Sequence, residues 1–510
     1  MRNAPPENID HVPSYGNNKL SQKLKRIFFV EKLHNKTGIL VLLAIAIIIA
    51  TGVSYMGLVF GALLIIAVGA LPLVYAIVAY PKFGMILLIV MAYMLFVLGQ
   101  FGIDGPIGTL MDGLQVFLLL GVLVKARTAN DWSIFKSPIT TVIFIWLGYN
   151  MLEFGNPAAS SRLAWVYTVR SVAIVAFSYF VFMYNIRSIK YIRLLFVIWI
   201  ILTIIGAAYA FKQEYIGFDQ HEQDYLNSPG IASLLFIDGH WRKFSIFSDP
   251  VAFAYNMVMP SIFCICLITM RIKMWKRIGL VILILFFLDS MLFSGTRGAN
   301  VLLPAALVLF GILKYNRQVL MFTCVAAFFL VVLIFIPTSN PNIVRFQTAF
   351  RPNKDASYNL RKRNQKMIQP YIITHPMGGG LGATGEWGKR FSPGSYLANF
   401  PPDSGYIRIA VEDGWIGLII FCAFIFVILK TGINNFYLIQ NEELKTYCLA
   451  MTLVIFAYNL ANFPQEALVQ FPSNIMFYLE AALINITMRL DIQLTAEKNK
   501  ALQTTEPQLT

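Results

Sequence analysis

The sequence predicts an all-α fold: a polytopic transmembrane helical bundle of twelve to fourteen spans, fourteen being the best count, with a large extracytoplasmic loop containing amphipathic helices. Three observations predict it. Of 510 residues, 57% are hydrophobic and only 13% charged, about half the charged share of an ordinary soluble domain. The apolar residues fall into runs near the length of about 20 that a bilayer requires. Lys and Arg gather at the ends of alternate runs, the bias that orients membrane helices.

The runs lie near 38–54, 57–80, 83–101, 106–124, 137–154, 165–184, 191–211, 250–270, 277–294, 299–314, 318–337, 404–429, 446–463 and 470–488. Only Tyr55 and Met56 separate the first two. With the basic N-terminal tail (Lys19, Lys23, Lys25, Arg26, Lys32) inside, every second connection should be basic. The connections carry Lys82; Lys125 and Arg127; Arg187, Lys190 and Arg193; Arg271, Lys273, Lys276 and Arg277; Lys314 and Arg317; Lys430 and Lys445; Arg489 and Lys498. The intervening connections near 102–105 and 464–469 carry none. Both termini are therefore expected in the cytoplasm.

The net charge is +15, but the cations flank apolar runs and form no single basic face, which excludes a nucleic-acid partner. The cysteines Cys264, Cys266, Cys324, Cys422 and Cys448 all sit inside apolar runs without metal-ligand spacing, so neither a disulfide nor a metal is expected. The polar start of the chain has no apolar segment before a small-residue cleavage site, so no cleavable signal peptide is expected.

The expected organisation is a cytoplasmic tail at 1–37, spans one to eleven over 38–337 with an outside loop at 212–249, a large external loop at 338–403, spans twelve to fourteen over 404–488, and a cytoplasmic tail at 489–510. Ala496–Thr510 reads as disordered. Unstructured loops as long as the two outside segments are uncommon unless functional. In the second, Leu360, Met367, Ile368, Tyr371 and Ile372 recur at helical spacing, which predicts an amphipathic helix. Asp355 or Ser357 would cap its start, and Pro376 with Gly378–Gly380 would stop it.

Polar residues concentrate on the outside face around Trp241–Pro250, Phe293–Asn300 and Pro402–Gly417. Arg297 follows a turn so short that it must sit at the membrane boundary, where a cation is costly. It either snorkels to the interface or binds an anion, since guanidinium fits phosphate oxygens in a bidentate way. Arg170 lies about 8 Å inside its span at 1.5 Å per residue. It serves either an anion or a structural role as an ion pair or carbonyl clamp; Asp112, near the outside end of span four, could pair with an arginine. Asp289 and Glu480 also fall within spans.

Three stretches resemble the O-antigen ligase and O-antigen polymerase superfamily of bacterial envelope glycosyltransferases. Ser294-Gly295-Thr296-Arg297-Gly298-Ala299 is similar to its T-x-S-R-G-A turn. Arg242, Phe247, Pro250 and Ala254 match its R-x-x-G-x-F-x-x-P-N-x-x-A stretch, with Ser245 in place of the glycine and Val251 in place of the asparagine. The long loop from Arg361 or Arg363 through His375-Pro376-Met377-Gly378-Gly379-Gly380-Leu381-Gly382 to Asp403-Ser404-Gly405-Tyr406-Ile407 and Glu412–Gly417 resembles the family's H-N-x-Y-L…E-x-G-L-I-G pattern. The family's ligases carry a histidine where Asp403-Ser404 stands here, a departure that favours a polymerase or a ligase-like enzyme with another base.

The resemblance implies an enzyme of the bacterial inner membrane, active on its outer face. It would be a metal-independent glycosyltransferase without cofactors, joining glycan repeat units carried on polyprenyl pyrophosphate. Ligase transfer to lipid A core or another acceptor is the alternative, and a lipid-linked oligosaccharide flippase is the reading from a different class. Partners would be the lipid-linked donor, the glycan acceptor, the bilayer, and a chain-length regulator and flippase. Charge growing on the leaving pyrophosphate calls for preorganised cations, and the attacking hydroxyl for a base. Arg297 and Asp403 are the catalytic candidates. Arg242, Arg170, Arg361, Arg363, Tyr406 and Arg408 are the substrate-binding candidates. The bland alternatives are a helix cap for Asp403 and a solvated helix side for Arg361–Arg363.

Overall fold

The computed structural model describes residues 36–57, 69–70, 72–100, 107–228, 230–237, 239–339, 341–348, 350 and 356–505. Among these residues it is 79% helical with almost no strand, an all-α polytopic fold. The basic N-terminal tail, residues 58–68 of the second expected span, the 102–105 connection, Asp355 as a cap and residues 506–510 lie outside the described residues.

The chain divides into two compact units, Met1–Tyr75 and Ala76–Thr510. The first contains α1 (Lys36–Met56). After α2 (Pro72–Ala79), the second runs through α3 (Pro81–Gln100), α4 (Ile107–Ala129), α5 (Pro138–Leu152), α6 (Arg162–Asn185) and α7 (Ile189–Tyr215). The first outside segment forms α8 (Gln220–Leu226), α9 (Ile231–Leu235) and a short hairpin of β1 (Phe236–Ile237) and β2 (His240–Trp241), paired antiparallel. Then come α10 (Pro250–Ile268), α11 (Met274–Phe293), α12 (Ala299–Leu313) and α13 (Arg317–Phe335). The long loop folds as α14 (Pro341–Thr348), α15 (Ala356–Thr374) and α16 (Gly385–Phe391), and the chain ends with α17 (Gly405–Glu412), α18 (Gly414–Leu438), α19 (Glu442–Ala461) and α20 (Ser473–Thr505).

Among the described residues, the long apolar helices overlap the expected runs. Six helices among the described residues are long and apolar enough to cross a membrane: Gly108–Ala129, Arg162–Asn185, Ile189–Tyr215, Pro250–Ile268, Gly414–Leu438 and Glu442–Ala461. They become seven if the bent pair Pro72–Ala79 and Pro81–Val97 is one span. α12 has only 15 residues, and α11 carries Lys276, Arg277 and Asp289 within its length.

Helix starts follow local chemistry. Asp249 accepts hydrogen bonds from the Val251 and Ala252 amides at the head of α10, with Pro250 in the first helical position. Ser137 caps α5 in the same way, ahead of Pro138. Each cap satisfies amides that the helix leaves without partners, and proline gives up none of those bonds. Some polar groups inside the bundle find partners, while the Glu480 carboxylate is buried with none among the described residues. Trp199 donates to the Tyr93 hydroxyl at 2.7 Å, and Arg170 meets Asp112 at 3.0 Å.

The structure corrects three expectations. The run at 404–429 is not one helix: α17 stops at Glu412 and α18 begins at Gly414, whose φ is +71°. That left-handed conformation suits glycine, and a Cβ there would lie 2.0 Å from the Pro376 carbonyl oxygen. The tail expected to be disordered is helical to Thr505, because its Ala, Glu, Lys, Leu and Gln are strong helix formers. In α15 the buried face is Asn364 and Ile368 with half-buried Tyr371 and Ile372, while Leu360 and Met367 are exposed. Ile368 packs with Ala383, Leu397, Phe400 and Val411 in a small core beneath the loop.

Candidate functional site

The Ser294–Gly298 turn is fixed by its own side chains. The Ser294 hydroxyl donates to the Met291 carbonyl at 2.6 Å and accepts from the Thr296 amide at 3.0 Å. Thr296 in turn donates to the Pro250 carbonyl at 3.1 Å. Arg242, just after the β2 strand, joins from the other outside segment. Its Nε donates to the Ser294 carbonyl at 2.8 Å and one Nη to the Thr296 hydroxyl at 3.1 Å. Two segments about fifty residues apart are thereby locked together at the boundary of α10, α11 and α12.

Arg242, Arg297 and Arg361 line one cleft of about 130 Å³, with Tyr255, Thr296 and Gln465. Three permanently charged guanidinium groups on one small cleft make it favourable for an anion. Arg361 reaches the cleft from α15 and is half-buried, whereas Lys362 and Arg363 are exposed. The run thus divides: Arg361 faces the cleft and its two neighbours take the solvated side.

One turn along α15 from Arg361, Asn364 is buried and donates to an Asp403 carboxylate oxygen at 3.1 Å. Ser404, not Asp403, occupies the cap position of α17, and no side-chain cap bond forms there. The cap reading of Asp403 is therefore set aside. Its carboxylate is held instead by the helix that carries Arg361.

Below this, Glu412 joins the loop to the bundle. Its carboxylate accepts from the Gly382 amide at 3.0 Å, the Thr384 amide at 3.2 Å and the Thr384 hydroxyl. Arg408 bridges it at 3.2 Å and Glu466 at 2.5 Å. Burial disfavours the Arg408 charge, but the two carboxylates outweigh it and hold the guanidinium above its ordinary range. Burial raises Glu466, with Arg408 opposing the rise. Asp413 is raised well above the usual carboxylate range by burial and by the neighbouring Glu412 and Glu153 charges. The glycine run seats the loop: Gly378 takes φ +69°, and a Cβ there would lie 2.5 Å from the Glu412 carbonyl oxygen.

The other sequence candidates stand apart from the cleft. Arg170 pairs with Asp112 inside the bundle. Tyr406 donates to Asn459 Oδ1 at 2.9 Å and packs edge-on to Phe421. Arg408 is held by its two carboxylates. His375 stacks on Tyr371 with ring centroids 3.9 Å apart. Sequence reasoning passed over Asn364, Glu466, Tyr255 and Gln465. Asn364 had one signal, its position three residues after Arg361 on the same helical face. Among the described residues no group of three His, Cys, Asp or Glu side chains is placed to hold a metal ion.

An apolar groove of about 980 Å³ runs between α11, α12 and α13. Leu292, Ala299 and Asn300 line it from either side of the Ser294–Gly298 turn, and Leu303, Leu307 and Phe329 lie further along. The groove therefore begins where the arginine cleft is built.

No curated protein matches the chain. The family model described as O-antigen ligase matches residues 280–422, which include Arg297, Arg361, Asp403 and the Glu412 hub. The upstream stretch around Arg242 lies outside the match, but its one departure from the glycine pattern has a physical explanation. Ser245 takes φ +54°, the left-handed conformation that glycine adopts freely. It is held there by the Gln213 side chain at 2.8 Å and the Gly206 carbonyl at 2.5 Å. The order of motifs, the helical membrane fold and the matched segment agree: residues 280–422 match an O-antigen ligase domain, which supports a place in the O-antigen ligase and polymerase superfamily.

Proposed function

We propose that the chain is a polymerase that joins polyprenyl-pyrophosphate-linked oligosaccharide repeat units into a surface polysaccharide, at the outer face of a bacterial inner membrane. The observation that carries this reading is the convergence of Arg242, Arg297 and Arg361 on one cleft where an apolar groove begins. A polyprenyl pyrophosphate needs both: cations for the pyrophosphate and a lipid-like channel for the chain. An acceptor hydroxyl attacks the anomeric carbon, a new C–O bond forms, and the bond to the pyrophosphate breaks. The arginines stabilise the charge that grows on the leaving group. Asp403 takes the hydroxyl proton, with Asn364 setting its orientation.

The topology proposed with it has fourteen spans, both termini in the cytoplasm and the two long loops outside. It would place the cleft where flipped lipid-linked donors arrive, so a flippase and a chain-length regulator are the fitting partners. The carboxylate at 403, where the family's ligases carry histidine, supports polymerase chemistry. The O-antigen ligase description of the matching family supports a second reading, transfer of finished glycan to lipid A core or another acceptor.

The glycan profile of a deletion strain separates them. Single repeat units on the acceptor identify a lost polymerase. Unattached polymer left on the polyprenyl carrier identifies a lost ligase. An unchanged surface polysaccharide would refute both.

A further inference from the structure

At the far end of the same helices lies a second cavity that the proposed chemistry does not use. It is about 690 Å³ and sits where α6 and α20, the loop before α5, and the last turns of α18 meet. Counting along α18 from Gly414 to Asn434 at 1.5 Å per residue puts it about 30 Å from the Glu412 hub. Lys136, Arg187 and Arg489 line it against a single carboxylate, Asp131. Neutral donors complete the wall: Ser133, Ser137, Thr431, Asn434, Asn435 and Asn485.

The cations are set in place by the fold. Arg489 donates to the Met183 carbonyl at 2.9 Å and the Ile186 carbonyl at 2.6 Å, at the end of α6. Its Nε is buried with no hydrogen-bond partner among the described residues. Arg187 donates to the Tyr184 carbonyl at 2.6 Å, and its two Nη atoms reach Asp131 only at 3.4 Å. Asn485 donates to Ser137 at 3.1 Å and to Tyr179 at 2.9 Å, closing the floor with neutral groups. Leu438 and Ile492 of the lining, and Trp132 between the lining residues Asp131 and Ser133 in sequence, are exposed apolar side chains. A net positive, donor-rich cavity with exposed apolar side chains matches an amphiphile with an anionic head.

We propose that this cavity binds the phosphate headgroup of an anionic phospholipid from the leaflet opposite the arginine cleft. Arg187 and Lys136 contact the phosphodiester, the asparagines hold its ester oxygens and the glycerol, and the acyl chains leave over Trp132, Leu438 and Ile492. Basic pockets between membrane helices commonly take such headgroups. The site is independent of the glycosyltransfer reading, because no residue in it lines the cleft.

The test uses the purified full chain, delipidated in detergent, and counts bound lipid by native mass spectrometry as phosphatidylglycerol or phosphatidylcholine is added. Phosphatidylglycerol should bind at one tight site and phosphatidylcholine should not. A K136Q/R187Q variant should bind phosphatidylglycerol at least about fivefold more weakly, the loss expected from removing surface cations facing an anionic lipid, and K136R/R187K should restore much of it. Circular dichroism and thermal unfolding show whether the neutral variant is folded. Equal binding of the two lipids, or unchanged affinity in the folded neutral variant, would overturn the proposal. So would thermal stabilisation by inorganic phosphate that equals that by phosphatidylglycerol, since a free anion would then be the ligand.

Discussion

Asn364 holds Asp403 at 3.1 Å, and three residues earlier on the same helix Arg361 lines the arginine cleft. One helical face thus carries both the orienting group for the candidate base and a candidate phosphate ligand. If Asp403 is the base, Asp403→Asn should lower turnover by about 10²- to 10⁴-fold with little change in donor binding. Asn364→Ala should lower it less and alter the pH profile. An extension assay with lipid-linked repeat units measures both, and full activity in Asp403→Asn would remove the base assignment.

Arg297 and Arg242 both line the cleft. Arg297→Ala is expected to abolish chain extension while the protein still reaches the membrane. A normal chain-length ladder from that variant would remove Arg297 from the site. Arg242→Ala should also destabilise the fold, because Arg242 ties the hairpin segment to the Ser294 carbonyl and the Thr296 hydroxyl. Hydrogen bonds to a charged group contribute about 1.5–3 kcal/mol each. Thermal unfolding in detergent should register that destabilisation in Arg242→Ala.

Gly414 is where the loop meets the last spans. Its φ of +71° and the approach of the Pro376 carbonyl leave no room for a methyl group. Gly414→Ala should cost about 1–2 kcal/mol for the left-handed conformation alone, and overpacking should add about 1–3 kcal/mol. Limited proteolysis should then cut the 338–403 loop faster than in the parent. Equal cleavage rates would show that the junction tolerates a side chain.

Asp413 sets a pH dependence. Its carboxyl is buried, Oδ1 has no hydrogen-bond partner among the described residues, and burial with the Glu412 and Glu153 charges raises its proton affinity. In the unfolded chain an aspartate titrates near about 3.9. As pH rises above that value the unfolded state loses this proton first, so Asp413 lowers stability progressively until the folded group also titrates. Asp413→Asn should be more stable than the parent at neutral pH and show a flatter melting temperature between acid and neutral pH. A variant less stable than the parent at neutral pH would mean that the ionised carboxylate is needed.

Much of the fold was legible in the sequence, and the reason is local. In a bilayer every backbone polar group must be satisfied within the protein, so a sufficiently long apolar run becomes a helix. Hydropathy therefore located most of the long helices among the described residues, and the motif order pointed to Arg242, Arg297, Arg361 and Asp403 as the residues to follow. Composition could not say which cations would meet. Arg170, Arg297 and Arg408 look alike in sequence, yet one pairs with Asp112, one lines the cleft and one is clamped between Glu412 and Glu466. That sorting depends on how the loops close over the helix ends. The tertiary structure also moved the start of the twelfth expected run to Gly414, gave Ser245 a glycine-like backbone, and supplied Asn364 to Asp403. Each is a contact between segments distant in sequence, set by packing and hydrogen bonding across the fold. The sequence determined a membrane bundle with a family motif set, and only the fold decided which charges share a site.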